Sequence, residues 1–386
     1  MKILLCFLDM LRPDLLGLYG NTLHSEVDDF FQGLGGTIYQ NCYSPGPDTP
    51  RSTGCLLTGC YPKNNGCDAR VKYPKYFLHE KILTFLDVLK ENNVNLRFYL
   101  DAYNREIGFL PEGFYEEEYL KGSDLTIQDY LDKYQVCDNS FTFLYFPDFH
   151  NIVMDNGYSA KTPKLGLKKV NDILKVLKNK GNLEQYDYCI FLSDHGYQLK
   201  KDLGRNLLDS YRSQIFMFVH KNSDRGLIYD KKLRSIMDVA PSIVRLFTNE
   251  NFSCDGKDLL LDESHEILLL EDHADFSVKV NQSIERYAVF TRTDRFFTDC
   301  SGIWTGTREL EQKEKNNFEI LLEKTMTDYS RNRFLYDRLQ IYNKFIYIKT
   351  NSDGTIRKKS IKLKFKESKF FRMTKKLMNP IVRYFV

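Results

Sequence analysis

Tyr188-Cys189-Ile190-Phe191-Leu192-Ser193-Asp194-His195-Gly196 is an uncharged, mostly apolar run that stops on a carboxylate, an imidazole and a glycine. Such a run reads as a strand covered on both faces, and open α/β sheets bind ligands beyond the carboxyl ends of such strands. Carboxylate oxygen and imidazole nitrogen both suit divalent cations, and adjacent ligands on a sharp turn reach one ion from two directions. The same turn would also serve as a hydrogen-bonded loop. The metal reading therefore requires further acidic and hydroxyl groups to converge on Asp194 and His195.

On either side of this stretch, strand-like and helix-like patterns alternate. Strands are expected near residues 2–9, 37–43, 94–100, 141–147, 187–192 and 214–220, and helices near 25–33, 51–58, 80–92, 124–134, 164–180 and 231–248. Beyond about residue 255 the alternation weakens, with strands expected at 266–271 and 286–292 and a long polar helix near 308–335. The pattern predicts an α/β fold: a mostly parallel central sheet flanked by helices, with a smaller C-terminal α+β part. The expected units are a catalytic core over 1–255, a subdomain over 256–350 that completes the fold, and a basic tail over 351–386.

The 386 residues suffice for one large core with an appendage, and the formal net charge of +3 argues against a dedicated nucleic-acid binder. Nine cysteines, an odd number scattered through apolar runs, fit free thiols in a reducing compartment, so a cytoplasmic location is expected. Cys55, Cys60 and Cys67 contain no CxxC pair and are not expected to bind zinc. Ile3 to Leu8 resembles the start of a signal peptide, but Asp9, Arg12 and Asp14 interrupt it, and it reads as a buried first strand. No segment reaches the roughly 20 apolar residues of a membrane span.

Three further places carry chemistry. Asp9 ends the first expected strand, at the same sheet edge as Asp194; it either joins a metal site or caps the following turn. In Asp48-Thr49-Pro50-Arg51-Ser52-Thr53, Thr49 is expected as the N-cap and Pro50 as the first helical residue. That placement would aim the Thr49 hydroxyl and free amides at one point, where a phosphate or sulfate can be held. A cation touching the hydroxyl would lower its pKa and allow attack as an alkoxide; otherwise Thr49 is only a cap. His150, in Phe146-Pro147-Asp148-Phe149-His150, would bind a substrate oxyanion or protonate a leaving oxygen, or else serve structure alone.

Four motifs occur in order: MKILLCFLDMLRPDLLGLYGN from Met1, TPRSTGCLLTGCYPKNNG from Thr49, LYFPDFH ending at His150, and FLSDHG from Phe191. Together they resemble the alkaline phosphatase and sulfatase superfamily over roughly residues 1–250, and Leu56 to Pro62 is similar to the sulfatase branch. The resemblance implies a nucleophile at Thr49, ten residues before Gly59. Sulfatases carry a Cys or Ser there for conversion to formylglycine, which Thr cannot become; the second Asp of the sulfatase Asp-Asp motif is Met10 here. A Thr nucleophile resembles the phosphoethanolamine transferases, the lipoteichoic acid synthases and the phosphodiesterase branch. In the transferases one divalent ion (Mn²⁺, Ca²⁺, Mg²⁺ or Zn²⁺) is held by positions matching Asp9, Thr49, Asp194 and His195. The two-metal phosphodiesterases add an Asp with a His four residues on; Asp148 is present, but residue 152 is Ile.

By the same resemblance His150 matches a substrate-binding histidine, while the position of the family's arginine holds Thr53 and Arg51 would substitute for it as substrate-binding group; His273 would supply the late histidine of the two-metal enzymes or else is a structural loop residue. Lys200, Lys201 and Arg205 follow the Asp-His turn and would neutralise substrate or form a solvated basic face. The implied function is metal-dependent phosphoryl transfer through phospho-Thr49, on a phosphorylated surface-glycan or lipid-linked precursor. The alternatives are a sulfuric ester hydrolase and an inactive glycan-binding protein. From Arg357 to Val386 eleven Lys or Arg residues face one acid, Glu367, with Phe370, Met373, Leu377, Met378 and Ile381 at helical spacing. This tail reads as an interfacial helix giving peripheral contact with the inner membrane face, or as a helix packed on the domain.

Overall fold

The protein is described by a computed structural model covering residues 1–67, 78–79, 82–101, 109–111, 113–157, 159–202, 205–206, 208–274, 284–298, 303–326, 348–350 and 356–358; for 273–274, 284–286, 348–350 and 356–358 only the backbone is described.

The central sheet has seven strands: β1 (Lys2–Leu8), β2 (Gly36–Tyr43), β3 (Asn95–Tyr99), β4 (Ser140–Phe146), β5 (Tyr188–Leu192), β6 (Met217–Lys221) and β7 (Leu227–Ser235). Their order is β3-β4-β1-β5-β6-β2-β7, and β6 alone runs antiparallel to its neighbours. β1 pairs in parallel with β4 from Lys2↔Ser140 to Leu8↔Phe146, and with β5 from Ile3↔Tyr188 to Phe7↔Leu192. The carboxyl ends of β3, β4, β1 and β5 therefore share one edge. Asp101, Asp148, Asp9 and Asp194 each lie one or two residues past such an end.

Burial on both faces explains the continuous apolar runs. Ile3, Leu5 and Phe7 of β1 join one core with Phe141, Phe143, Ile190 and Leu192, and with helices α2 (Thr49–Thr58), α3 (Phe85–Glu91) and α7 (Val239–Thr248). The alternate residues Leu4, Cys6 and Leu8 join a second core with Leu144, Phe146 and Phe191, under α1 (Glu26–Leu34), α4 (Ile127–Lys133), α5 (Asp148–Asn156) and α6 (Thr162–Lys180). Each fully buried Leu or Phe contributes roughly 1.5–3 kcal/mol, so the doubly covered strands anchor the sheet edge that carries the four acids.

A separate antiparallel sheet, ordered β11-β10-β9-β8, follows in the chain. Its strands are β8 (Ile267–Ala274), β9 (Ile284–Thr291), β10 (Arg295–Thr298) and β11 (Trp304–Gly306), with helix α8 (Gln312–Thr325) after them. Phe296 and Trp304 pack on Phe318 of α8. Two short strands, β12 (Ile348–Thr350) and β13 (Ile356–Lys358), pair antiparallel.

Sequence and structure differ in places. The expected helix at 231–248 is the end of β7 and then α7, because Leu233 to Ser235 pair with β2 before Asp238 starts the turn. Asp148–Asn156, outside the expected helices, is a helix, and β10 and β11 are additional strands. His273 lies in strand β8, where it pairs with Glu285, and not in a loop. The tail from residue 359 and the end of the helix expected at 308–335 lie outside the described residues.

Candidate metal centre and active site

Four loops at the sheet edge bring the site together. Asp9 directly follows β1, and Met10 after it has a left-handed backbone with φ 64°, unusual for a residue with a Cβ. This turns the Met10 N–H toward Asp194, where it donates to Oδ1 at 3.1 Å. The His195 N–H donates to the same oxygen at 2.9 Å. Asp194 Oδ1 is thus held by backbone, and Oδ2 is left to face the cluster.

One ligand atom each from Asp9, Asp194 and His195 lie within 4.8 Å of one another, and all three residues are buried. Asp9 Oδ1 and Asp194 Oδ2 have no hydrogen-bond partner among the described residues. Two buried carboxylate oxygens facing each other without partners are unfavourable unless protonated or bridged by a cation. Burial, reinforced by the Asp194 carboxylate, pushes the Asp9 carboxyl well above the usual range, and only the Tyr145 hydrogen bond opposes the shift. The set of two carboxylates and an imidazole fits a divalent ion.

The imidazole is oriented for the same purpose. His195 Nδ1 lies 2.7 Å from the Gly196 carbonyl, which can only accept, so Nδ1 carries the proton. Nε2 then presents its lone pair toward Asp194 Oδ2 at 3.3 Å and the Thr49 hydroxyl at 3.2 Å. Thr49 donates its proton to that nitrogen.

Thr49 owes its position to α2. The structure corrects the expected cap: Asp48, not Thr49, is the N-cap, accepting from the Arg51 N–H, and Thr49 is the first helical residue. Asp48 wins because its second oxygen also holds the Arg51 guanidinium, with 2.7 Å to Nε. Freed from capping, the Thr49 hydroxyl points at His195. Below it, Ser52 Oγ donates to the Asp194 carbonyl at 2.8 Å and ties α2 to the metal-site turn.

The expected substrate-binding residues fare differently. Arg51 is fully buried, bound to Asp48, to Asp272 at 2.7 Å and to the Glu271 carbonyl at 3.2 Å. It is a positioning group between α2 and β8, and its donors are not presented to a substrate. Lys200 and Lys201 are exposed, and Lys201 pairs with Asp14 at 3.2 Å. Arg205 is bound to Asp202 and Asp209. His150, in the first turn of α5, lies with Nδ1 3.5 Å from Asp9 Oδ2 and is partly exposed, so it borders the cluster and solvent together.

Sequence reasoning missed Tyr145, whose buried hydroxyl donates to Asp9 Oδ2 at 2.5 Å. Its signal was a hydroxyl near the carboxyl end of the mostly apolar run Phe141 to Phe146. Asp272 was missed too; it joins buried Arg51 to Arg212, 3.0 Å from Oδ2. Asp148, past β4, has its carboxyl raised by burial, with Asp101 adding and Lys169 opposing.

No family profile and no curated protein sequence matches this chain. Solved structures do. A sulfatase from a Bacteroides thetaiotaomicron locus for metabolism of multiple glycosaminoglycans superposes with TM-score 0.59 at 13% identity, covering 87% of this chain and 99% of that one. The phosphonate monoester hydrolase of Silicibacter pomeroyi gives 0.55 at 10% identity, covering 93% and 99%. An alkaline phosphatase superfamily protein from Vibrio parahaemolyticus gives 0.55 at 16% identity, covering 81% and 80%. At these identities the likeness is one of fold, and it extends over most of the chain.

Proposed function

We propose that this chain, which has the fold of the alkaline phosphatase superfamily, is a metal-dependent enzyme that transfers phosphoryl groups through Thr49. One observation carries the reading: a threonine hydroxyl donates to a tautomer-fixed imidazole inside a buried cluster with two unpartnered carboxylate oxygens. Asp9, Asp194 and His195 would hold the ion, with Thr49 beside it. When bound, a divalent cation supplies a lowered hydroxyl pKa and neutralises charge on the phosphoryl oxygens.

The chain's own groups do the rest. Thr49 Oγ gives its proton to solvent water and forms a bond to phosphorus as the ester O–P bond on the opposite side breaks, giving phospho-Thr49. The departing oxygen takes a proton from His150, the one imidazole at the cluster with a solvent-facing side. Water or an acceptor hydroxyl then attacks phosphorus and gives its proton to His150, while the Thr49 oxygen leaves and regains a proton from water. Hydrolysis and transfer differ only in that acceptor. The proposed substrate is a phosphodiester of a surface-glycan or lipid-linked precursor.

A second reading, sulfuric ester hydrolysis, is favoured by the likeness to a glycosaminoglycan-locus sulfatase. Against it stands Thr49, which cannot yield formylglycine. Turnover of bis-para-nitrophenyl phosphate and para-nitrophenyl sulfate with Mn²⁺ separates the two. Phosphodiester cleavage is expected, falling at least about a thousandfold in Thr49→Ala. Sulfate turnover that survives Thr49→Ala would sink the reading.

A further inference from the structure

A cavity of about 210 Å³ lies away from the metal centre, between the Tyr43 end of β2 and the turn joining β9 to β10. Whole-ligand clefts run to roughly 300–1,000 Å³, so this one takes a chemical group and not an entire ligand. Its walls carry Arg292 and Arg295, and neither guanidinium has a carboxylate partner among the described residues. The contrast with Arg308 nearby is direct: that side chain is bound to Glu314 at 2.7 Å and Asp294 at 3.5 Å. Asp294, the acid of the same turn, is further occupied by the hydroxyls of Thr307 at 2.9 Å and Thr293 at 3.0 Å.

Arg295 is half-buried and held flat. Its guanidinium carbon lies 5.5 Å from the Tyr43 ring centroid and 5.4 Å from that of Phe290, and Nη2 donates to the Tyr43 hydroxyl at 2.7 Å. Because the Tyr43 oxygen accepts that bond, its own proton is left to donate. Nε and Nη1 of Arg295 have no partner among the described residues, and Arg292 is exposed beside them. A partly desolvated, immobilised guanidinium without a counter-ion is costly, and a planar fork with free N–H groups matches a tetrahedral oxyanion.

We infer that Arg292, Arg295 and Tyr43 form a subsite for a phosphate or sulfate group carried by a polyanionic glycan chain whose reacting ester lies at Thr49. The substrate class rests on the function proposed above, whereas the anion site itself does not. Two charged points on one chain would select repeating anionic chains over isolated esters, since the second contact is intramolecular once the first is made.

The test is calorimetric titration of the full chain carrying Thr49→Ala, so that no turnover occurs, with fully sulfated maltohexaose, uncharged maltohexaose and inorganic phosphate. The charged hexasaccharide should bind, weaken about tenfold on Arg292→Ala, and weaken further with Arg295→Gln added. Thermal melting shows whether Arg295→Gln keeps the fold; Arg292→Ala, at an exposed position, decides the matter if it does not. Unchanged affinity in both variants overturns the subsite. Loss of inorganic phosphate binding with hexasaccharide binding intact overturns the glycan assignment, because the site would then hold the free ion. Arginine-dependent hexasaccharide binding in a wild type that cleaves no ester leaves this subsite standing and sinks the proposed reaction alone.

Discussion

The two oxygens of Asp9 have different surroundings: Oδ2 takes the Tyr145 proton, and Oδ1 meets nothing among the described residues. Tyr145 therefore aims Oδ1 at the cluster, as groups behind metal ligands commonly do. Tyr145→Phe removes the donor while keeping the ring that packs on Phe7 and Phe109, and it should weaken Mn²⁺ binding by roughly tenfold. Titration calorimetry on the folded variant reads this without turnover; an unchanged affinity would show that Tyr145 only fills space. The raised Asp9 carboxyl also has a consequence for stability. A folded-state pKa above the unfolded value of about 3.9 stabilises the metal-free protein below that pH, and the contribution is lost as pH rises through the raised value. The melting temperature of metal-free protein should thus fall over this window more than that of Asp9→Asn, and Mn²⁺ should raise it most at alkaline pH. If wild type and Asp9→Asn melt in parallel across pH, the carboxyl is not the group responsible. At this scale the members of the cluster were legible in the sequence, since Asp9 and Asp194-His195 each follow an apolar run. Tyr145 was not, because its partner lies 136 residues away.

Helix α2 shows how an element sets chemistry. It starts on Asp48, presents Thr49 from its first turn, buries Arg51 to Thr58, and ends on Gly59 with φ 66°. A Cβ at Gly59 would come 2.7 Å from Cys254 Sγ, in a backbone region that side chains rarely adopt. Gly59→Ala should therefore cost more than about 1 kcal/mol, seen as a lower urea midpoint. Equal midpoints would mean that the Gly59 turn tolerates a side chain. The helix was expected from Thr-Pro and from the Leu-Leu-Thr-Gly ending, but its cap was misplaced by one residue. Local pattern cannot choose between Asp48 and Thr49, as both are good caps. The choice was made by Arg51, whose guanidinium needs Asp48 as well as Asp272 from β8. The same contact turned Arg51 from an expected substrate ligand into a buried strut.

At the scale of the whole molecule, the C-terminal sheet bears on the sheet edge that carries the cluster in two ways. Glu271 donates its N–H to the Pro45 carbonyl at 2.8 Å, bracing the loop before Thr49, and Asp272 holds Arg51 and Arg212. No helix among the described residues is long and apolar enough to cross a membrane. The basic tail is proposed to give peripheral contact with an anionic surface. A chain ending before Arg357 should lose sedimentation with phosphatidylglycerol vesicles that the full chain shows, and equal sedimentation of both would end that proposal. By itself the sequence determined the α/β class, the order of strands along the chain and the acids at their ends, because burial on both faces writes continuous apolar runs and a turn follows each. Only the tertiary structure decided which acids meet, which arginine is buried in ion pairs and which lacks a carboxylate partner among the described residues, and where the arginine-lined cavity lies. Those outcomes depend on contacts between residues far apart in the chain, which spacing along one segment does not encode.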